Sequence, residues 1–435
     1  MSPSEPRASV VVATWNWSSA LRLALASALA QTVREIEILV IGDGCTDDSA
    51  EVVAAFGDPR LAWRNRKQNS GNQAAPNDDG LALARAPWVA YLGHDDLWHP
   101  RHLEDLLATA ERRGADLVHS IALNYGPSES GVVAASGVEP TGGHRVPPNL
   151  RPSSVAHRRD LALAAGGWGD PRATDRPVDD AFFARLWASG ARFAGSNRVT
   201  TFKFPAGWRR DAYRRRDVTQ QAALWTRLCD QPDQVERELC RLLVAFADGT
   251  GTVALEPEPP PPEGWREARR RFKGLSAGGA ETPAPARVDL GAPLPGLEWH
   301  PAESDALGAF RWSAAREAAL EVPWGTAPGE PAQLRLGLAY LLDAADLGRL
   351  EVAVDAFSVA LVRTVDAAGN VVLAAELPAV GDHRRRLARV VVRAPALRRP
   401  CDLDAANPDR RRLGVALRWA EIVPGDEPGE TGGRR

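Results

Sequence analysis

The stretch that decides the fold is VAYLGHDDLWHP, residues 89–100, an apolar run that ends abruptly in two aspartates. A short run that is apolar on both faces is typical of a buried strand in a parallel sheet. Asp95 and Asp96 at its end repel each other and are costly to remove from water. A divalent cation would relieve both penalties, and so would solvent at an exposed turn. These residues alone leave both explanations open.

Apolar strands and helical patterns alternate on either side of this stretch. SVVVAT (9–14) and EIEILVIGDG (35–44) read as buried strands, and SSALRLALASALAQ (18–31) between them has leucines on one helical face. CTDDSAEVVAAFG (45–57) has the pattern of a helix that ends at a glycine. Alternation at this spacing predicts βαβ units and an α/β sheet with helices on both faces.

The chain of 435 residues is too long for one ordinary core, so more than one domain is expected. We predict a catalytic α/β domain with closing helices over residues 1–250, and a proline-rich linker with a basic helix over 251–286. The linker is marked by EPEPPPPEG (256–264). Residues 287–435 alternate apolar and polar side chains with period two, which predicts a separate all-β sandwich.

Composition excludes several classes of protein. The formal net charge is −3, from 53 Lys and Arg against 56 Asp and Glu, which gives no general reason to expect nucleic-acid binding. The four cysteines are scattered without a CxxC pair, so a reducing cytoplasm is the predicted location. The N-terminus lacks a signal-peptide pattern, and no run of about 18 apolar residues predicts a membrane span. Peripheral attachment at the inner face of a membrane stays open.

Polar residues follow three of the predicted strands. The first strand ends at Thr14, Trp15 and Asn16, the second at Asp43, and the fourth at Asp95 and Asp96. Ligands of open α/β sheets bind beyond the carboxyl ends of the strands. We therefore expect these residues to line one rim, although a lone pair of aspartates is most often a solvated turn or a helix cap.

The arrangement resembles family 2 glycosyltransferases of the GT-A (Rossmann-like) fold over roughly residues 8–210. The motifs that carry the resemblance stand in the same order and spacing as in the family: VVVATWNWSSALRLALASALAQT, EILVIGDGCTDDS, NSGNQAAPND, VAYLGHDDLWHPRHLEDL and VDDAFFARLWASGARF. The resemblance implies a nucleotide-sugar-binding domain. It also implies an enzyme that transfers a sugar from a nucleotide-diphosphate sugar donor.

The resemblance assigns expected roles to the strand ends. Asp43 would hold the nucleotide base, and residues 14–16 would border the base and ribose. Asp96 would bind Mn²⁺ or Mg²⁺, which neutralises a diphosphate leaving group, while Asp95 supports the ribose. His94 fills a position that is acidic in the family, and it is either functional or an ordinary turn residue. Asn69 and Gly71 match the family's pyrophosphate loop. Relatives often place an arginine just before the asparagine at position 77, whereas this chain has Pro76 before Asn77.

The resemblance also implies an acidic pair for acceptor chemistry. Asp179 and Asp180 open a helix where relatives carry the general base, usually the second member, so Asp180 is the expected base and Asp179 its neighbour. A helix cap is the alternative for this pair. Trp168 lies in a GGW segment (166–168), where it either stacks on the acceptor sugar or packs in the core.

The resulting interpretation is an inverting, metal-dependent glycosyltransferase of the hexosyltransferase type. Its acceptor would be a saccharide or lipid-linked saccharide, in a bacterial cell-surface polysaccharide pathway. The alternative is a catalytically weak sugar-binding or scaffolding protein that keeps the GT-A shape. Aromatic stretches in the sandwich predict either a sugar-binding face or core tryptophans; they are LEWH (297–300), FRW (310–312) and VPWG (322–325).

Overall fold

The computed structural model describes residues 5–231, 233–254, 265–275, 287–327, 329–355, 357–366, 370–377 and 387–425. The chain divides into two compact units, one of Met1–Trp265 with Arg270–Leu275 and one of Arg266–Arg269 with Ser276–Arg435. The predicted linker 256–264 and the segment 276–286 lie outside the described residues. The predicted domain limits therefore stay a prediction, and residues 270–275 form part of the first unit.

Strands and helices alternate through the first hundred residues, as predicted. The helices up to residue 275 are α1 (Ser18–Leu29), α2 (Ser49–Ala55), α3 (Ala74–Leu83), α4 (His102–Arg113), α5 (Arg159–Ala164), α6 (Val178–Ala188), α7 (Ala212–Arg215), α8 (Thr219–Asp230), α9 (Gln234–Ala247) and α10 (Trp265–Phe272). The strands of this part are β1 (Ala8–Thr14), β2 (Ile36–Gly42), β3 (Leu61–Asn65), β4 (Trp88–Tyr91), β5 (Leu97–Trp98), β6 (Leu117–Tyr125), β7 (Val133–Ser136), β8 (Val155–Arg158), β9 (Phe193–Lys203) and β10 (Gly251–Ala254).

These strands form one mixed sheet. Its order is β10-β7-β6-β8-β4-β1-β2-β3, and β9 pairs with β6 and with β5. The segment β4-β1-β2-β3 is parallel, whereas β8 runs antiparallel to both of its neighbours. The carboxyl ends of these four parallel strands therefore lie at the same edge of the sheet.

The parallel strands are buried on both faces, as their apolar sequences predict. Val10 and Val12 of β1 pack in a core with helices α1 and α4, and Val11 between them packs in the opposite core with α3 and α6. Alternate side chains of a strand point to opposite faces of its sheet, so β1 contributes to two cores. The predicted α/β fold class is confirmed for this unit.

The second unit contains two antiparallel sheets. Its strands are β11 (Arg287–Asp289), β12 (Glu303–Asp305), β13 (Gly308–Trp312), β14 (Glu317–Pro323), β15 (Ala332–Leu341), β16 (Glu351–Val354), β17 (Phe357–Val359), β18 (Val362–Val365), β19 (Val371–Leu377), β20 (Leu387–Arg393) and β21 (Val415–Pro424), with helix α11 (Pro400–Leu403) before β21. One sheet has the order β12-β13-β21-β15-β19-β18, with β11 beside β21, and the other has the order β14-β20-β16-β17. Side chains from both sheets share one core, which confirms the predicted sandwich.

The aromatic stretches of the sandwich are mostly part of its interior. Trp299, Phe310 and Trp312 are buried, and Trp324 is half-buried against the shared core. Of the two alternatives, core packing describes the three buried rings, because a buried ring presents no face to a sugar.

Candidate active site

Three parallel strands end level with one another. Thr14 of β1 pairs with Gly42 of β2, and Gly42 pairs with Asn65 of β3. β4 ends at Tyr91 opposite Val11, and the chain then turns through residues 92–96. The backbone N–H of Asp43 donates to the Thr14 carbonyl over 2.8 Å. The structure therefore brings the predicted strand-end residues to one rim of the sheet.

Asp43 is a buried carboxylate with fixed partners. One of its oxygens accepts hydrogen bonds from the backbone N–H and the hydroxyl of Ser70, both at 2.9 Å. Arg66 Nε lies 3.3 Å from the other oxygen. Burial raises the pKa of Asp43, and the Ser70 hydrogen bonds and the Arg66 charge oppose this effect. Gly44 is required beside it, because its φ is +72° and a Cβ there would lie 2.5 Å from the Asn69 nitrogen.

Asn16 joins the loops that follow β1 and β2. It has a positive φ of 46°. Its side-chain oxygen accepts from the backbone N–H groups of Thr46 at 2.7 Å and Asp47 at 3.3 Å. Trp15 is half-buried, and its ring lies 5.7 Å from that of Tyr213. Asn16 thus shapes the rim, and Trp15 forms part of its wall.

The predicted pyrophosphate loop is only partly at this rim. Asn69 donates to the Asp43 carbonyl at 3.1 Å and accepts from the Gly71 N–H at 2.8 Å. The Gly71 carbonyl accepts from Arg270 Nη1 at 3.1 Å. Asn77, in contrast, is buried within α3, which begins at Ala74. Asn69 and Gly71 adjoin Asp43, whereas Asn77 is a helical residue.

His94 is held in one protonation state. Its Nδ1 accepts the backbone N–H of Trp15 at 3.3 Å and lies 2.9 Å from the Thr14 hydroxyl. Burial lowers the pKa of His94, and the nearby Asp95 charge opposes that shift. A ring nitrogen that accepts a backbone N–H carries no proton, so the Thr14 hydroxyl donates to it. His94 acts here as a neutral acceptor between two strand ends.

Asp96 is 1% exposed and has a cation as its partner. Its Oδ2 forms an ion pair with the Lys203 ammonium and accepts from the Ser153 hydroxyl. Its Oδ1 accepts from the Phe204 N–H at 3.3 Å. Asp95 beside it is half-buried. Lys203, at the end of β9, therefore neutralises the carboxylate that the sequence left without an obvious partner.

The Mn²⁺ or Mg²⁺ ion implied by the resemblance does not fit these contacts of Asp96. A dication at Oδ2 would lie next to the Lys203 ammonium, and two like charges at that separation repel. No group of three or more His, Cys, Asp or Glu side chains that could hold a metal ion occurs within the part of the chain that the structure describes. Mg²⁺ is usually held by one or two carboxylates together with substrate phosphates and waters. Of the two aspartates, Asp95 would remain as the carboxylate ligand.

The acidic pair lies in the first turn of α6. The residue before the helix is Pro177, whose side chain makes no capping hydrogen bond, and Asp179 and Asp180 follow. Both aspartates thus lie inside the helix, where a carboxylate interacts favourably with the helix dipole. Phe182, in the same turn, packs edge-on against Tyr91, the last residue of β4, with ring centres 6.2 Å apart. The start of α6 thus lies close to the end of β4.

Trp168 is an interior residue. It is 2% exposed and stacks on Phe182 with ring centres 4.8 Å apart. It also meets Tyr91 edge-on at 4.9 Å. Core packing, the second of the two alternatives, is what the structure gives, so the acceptor-stacking role is corrected.

The sequence of residues 9–156 matches the family model "Glycosyl transferase family 2". This segment, about a third of the chain, is therefore similar to that family. The family 2 segment contains the rim from Thr14 to Asp96 and ends before Trp168, the acidic pair and Lys203. The family match therefore covers the strand-end rim from Thr14 to Asp96.

Curated relatives match about a quarter of this chain. Poly(ribitol-phosphate) β-N-acetylglucosaminyltransferase TarP of Staphylococcus aureus is 31% identical over 115 residues, which are 26% of this chain and 35% of the relative. Succinoglycan biosynthesis protein ExoO of Rhizobium meliloti is 34% identical over 112 residues, 26% of this chain and 32% of the relative. The chain thus spans about a third of the length of these relatives.

Solved structures give a more distant likeness. S. aureus TarS 1–349 in complex with UDP-GlcNAc is 20% identical with a TM-score of 0.40, over 46% of this chain and 58% of that one. Mannosyltransferase PcManGT from Pyrobaculum calidifontis, in complex with GDP-Man and Mn²⁺, is 19% identical with a TM-score of 0.37, over 56% of this chain and 76% of that one.

Sequence reasoning missed several residues that complete the site around the family 2 segment. Lys203 and Ser153 contact Asp96, Ser70 and Arg66 contact Asp43, and Tyr213 contacts Trp15. No local pattern marked Lys203, because β9 is half polar along its length and is a strand through its pairing with β6 and β5. Ser153 follows no strand and gave no signal.

Proposed function

We propose that the chain is a glycosyltransferase that moves a sugar from a nucleotide-diphosphate sugar to a saccharide or lipid-linked saccharide acceptor. The observation that carries the proposal is the rim of the family 2 segment, where Asp43 and Asp96 follow the two parallel strands on either side of β1. The names of TarP and ExoO support a role in bacterial cell-surface polysaccharide biosynthesis.

Different residues of the rim are proposed to bind the base, the ribose and the pyrophosphate of the donor. Asp43 accepts hydrogen bonds from the nucleotide base, and Thr14, Trp15 and Asn16 border the base and ribose. Asp95 supports the ribose from the turn after β4. Asn69 and Gly71 lie along the pyrophosphate. Asn77 supports this loop only indirectly, because its side chain is buried in α3.

The transfer inverts the anomeric centre, with Asp180 as general base. The carboxylate takes the proton of the acceptor hydroxyl while that oxygen attacks the sugar from the face opposite the diphosphate. Packing of Phe182 against Tyr91 supports this role, since it holds the start of α6 near the end of β4. Asp179 is the neighbour that orients the helix start.

A Mn²⁺ or Mg²⁺ ion remains the expectation from family resemblance. When bound, such an ion supplies positive charge to the diphosphate. The contacts of Asp96 do not support a metal ion at this residue, because Lys203 already forms an ion pair with its carboxylate. We therefore assign no step of the transfer to a metal.

The reaction is assigned to the cytoplasm, with peripheral attachment to the inner face of a membrane as the means of reaching a lipid-linked acceptor. The four cysteines form no disulfide, which supports a reducing compartment. Among the described residues, no helix is long and apolar enough to cross a membrane. The proposed partners include no nucleic acid.

The experiment is a panel of nucleotide sugars, assayed for release of the nucleoside diphosphate by the full chain with and without a polysaccharide fragment. Turnover of one donor, lost in Asp180→Asn, is the expected result. Tight donor binding without any release under either condition would favour the sugar-binding or scaffolding alternative. No binding of any donor would contradict both.

A further inference from the structure

The ion pair between Lys203 and Asp96 joins the end of β9 to the turn after β4. The Asp96 side chain is 1% exposed and the Lys203 side chain 14%. Ser153 also contacts the pair, with its hydroxyl 3.5 Å from the Lys203 nitrogen. An ammonium has three N–H donors, and Asp96 and Ser153 engage two of them. The remaining exposure lets the third reach an anion at the rim.

Backbone pairing fixes both partners. Lys203 is paired with Asn124 in the parallel ladder of β6 and β9. The residue before it, Phe202, is paired with Leu97, which directly follows Asp96. The Phe204 N–H donates to Asp96 on the other side. The lysine is thus built into the sheet at this carboxylate and is not a surface side chain that happens to reach it.

A second cation faces the same acidic turn. The Arg209 guanidinium lies over the Phe204 ring at 5.7 Å and donates to the Gly126 carbonyl at 3.0 Å and to Gln220 at 2.6 Å. Burial lowers the pKa of Arg209, and the charges of Asp95, Glu129, Asp217 and Asp96 oppose that shift. Asp95 and Asp96 are therefore among the carboxylates whose charge Arg209 offsets.

We infer that Lys203 is the fixed cation that binds the donor diphosphate in this chain, so that neither donor binding nor transfer requires a divalent metal. The inference rests on the proposed function. In the transfer, the bond from the sugar C1 to the diphosphate oxygen breaks and its electron pair leaves with that oxygen. The acceptor oxygen bonds to C1, and its proton passes to Asp180. Lys203 donates a hydrogen bond to the diphosphate as its charge increases.

The test is calorimetric titration of the full chain with UDP and with GDP, in EDTA and in Mn²⁺. We expect the wild-type protein to bind one of these nucleotides equally well in both solutions. Lys203→Met should weaken that binding about tenfold or more in EDTA, which is the value of a lost charge-assisted hydrogen bond. Lys203→Arg keeps the cation and should lose less.

Two further variants make the result decisive. Lys203→Met leaves Asp96 buried without its partner, so Lys203→Met/Asp96→Asn removes both charges and protects the fold; we expect it also to bind weakly in EDTA. Arg112→Met removes an exposed positive charge near the end of α4 and should bind like wild type.

Wild-type binding that disappears in EDTA and returns with Mn²⁺ would overturn the inference and leave the proposed function standing. Binding by the double variant as tight as that of wild type would overturn it in the same way. Failure of the wild-type chain to bind UDP, GDP or any donor of the nucleotide-sugar panel in either solution would overturn both the inference and the proposed function.

Discussion

Asp78 and Trp168 are joined by a hydrogen bond of 2.7 Å from the Trp168 backbone N–H to the Asp78 carboxylate. The same carboxylate accepts the Gly169 N–H at 3.3 Å, and Arg185 donates to the Gly167 and Trp168 carbonyls at 2.7 and 2.9 Å. The glycine-rich segment before α6 is therefore tied at both its N–H and its carbonyl groups.

Loss of the Asp78 hydrogen bonds should affect acceptor binding more than donor binding. We expect Asp78→Ala to lower the free energy of unfolding by about 1–3 kcal/mol, because two partly buried N–H groups lose their acceptor. The KM for acceptor should rise while nucleotide affinity stays constant. Urea unfolding and steady-state kinetics measure the two effects, with exposed Asp175→Ala as the control. A change confined to nucleotide affinity would contradict this role.

A change at Asp43 should affect nucleotide binding and leave the fold intact. Asp43→Asn keeps the shape but loses the charge that pairs with Arg66, and we expect nucleoside diphosphate affinity to fall about tenfold or more. Calorimetry measures this loss. Asp48→Asn, at an exposed aspartate of the same loop, is the matched control. Equal affinities of the two variants would remove Asp43 from the donor site.

The two aspartates of α6 should differ in turnover. Asp180→Asn should keep donor affinity and lose roughly a hundred- to ten-thousand-fold in kcat, as removal of a general base does. Asp179→Asn, which removes the same charge one residue away, should retain most activity. The reverse ranking would transfer the role to Asp179, and full activity in both would reduce the pair to an interaction with the helix dipole.

Acid should destabilise the first unit through buried histidines. Burial lowers the pKa of His157 to about 4, while the unfolded chain titrates near 6.5. Above pH 6.5 both states are neutral; between 6.5 and 4 only the unfolded state takes up the proton. As the pH falls through this range, the free energy of unfolding therefore decreases by about 1.4 kcal/mol per pH unit for each such histidine.

The variant His157→Gln should reduce the pH dependence of the free energy of unfolding by the contribution of one proton. In the wild-type protein, His157 Nδ1 lies 2.9 Å from the Arg158 carbonyl and Nε2 lies 3.2 Å from the Tyr91 hydroxyl, contacts that the neutral ring satisfies. Urea unfolding at pH values between 7.5 and 4.5 compares the two slopes. Identical slopes would assign the acid sensitivity to His102 and His119, whose pKa values burial lowers to about 3.

Residues 270–275 should be needed for the full stability of a truncated first unit. The Asp211 N–H donates to the Phe272 carbonyl at 2.7 Å and the Tyr213 N–H to the Lys273 carbonyl at 3.0 Å. We expect a truncation after residue 275 to bind nucleotide and melt like the first unit of the full chain. A truncation after residue 254 should melt lower. Equal melting temperatures would show that these contacts contribute nothing to stability.

The parallel half of the first sheet could be predicted from sequence, because each of its strands is a continuous apolar run. VAYL before Asp95 and SVVVAT before Trp15 carry enough buried surface to identify them locally. The strand-end rule then gave the rim, and the structure indeed joins Thr14, Asp43 and His94 there.

The rest of the fold and of the site could not be predicted, because it depends on contacts between residues that are distant in the sequence. β9 is half polar along its length and becomes a strand by pairing with β6 and β5, which no local pattern indicates. Its terminal lysine was missed for that reason, and the neutralisation of Asp96 was assigned to a metal. Asn77 was expected to lie along the pyrophosphate, but α3 begins three residues before it, at Ala74, and buries its side chain.

The distance along the chain between Asp96 and its partner has a consequence for synthesis. Lys203 follows Asp96 by 107 residues, and it arrives on a strand whose pairing with β6 is parallel. Parallel pairing of distant segments closes late in folding, since the entropy of loop closure precedes any gain from contact. A nascent chain that has emerged only as far as β8 holds the whole acidic rim without its cation. Competence to bind nucleotide should therefore appear on the ribosome in one step, once β9 has emerged.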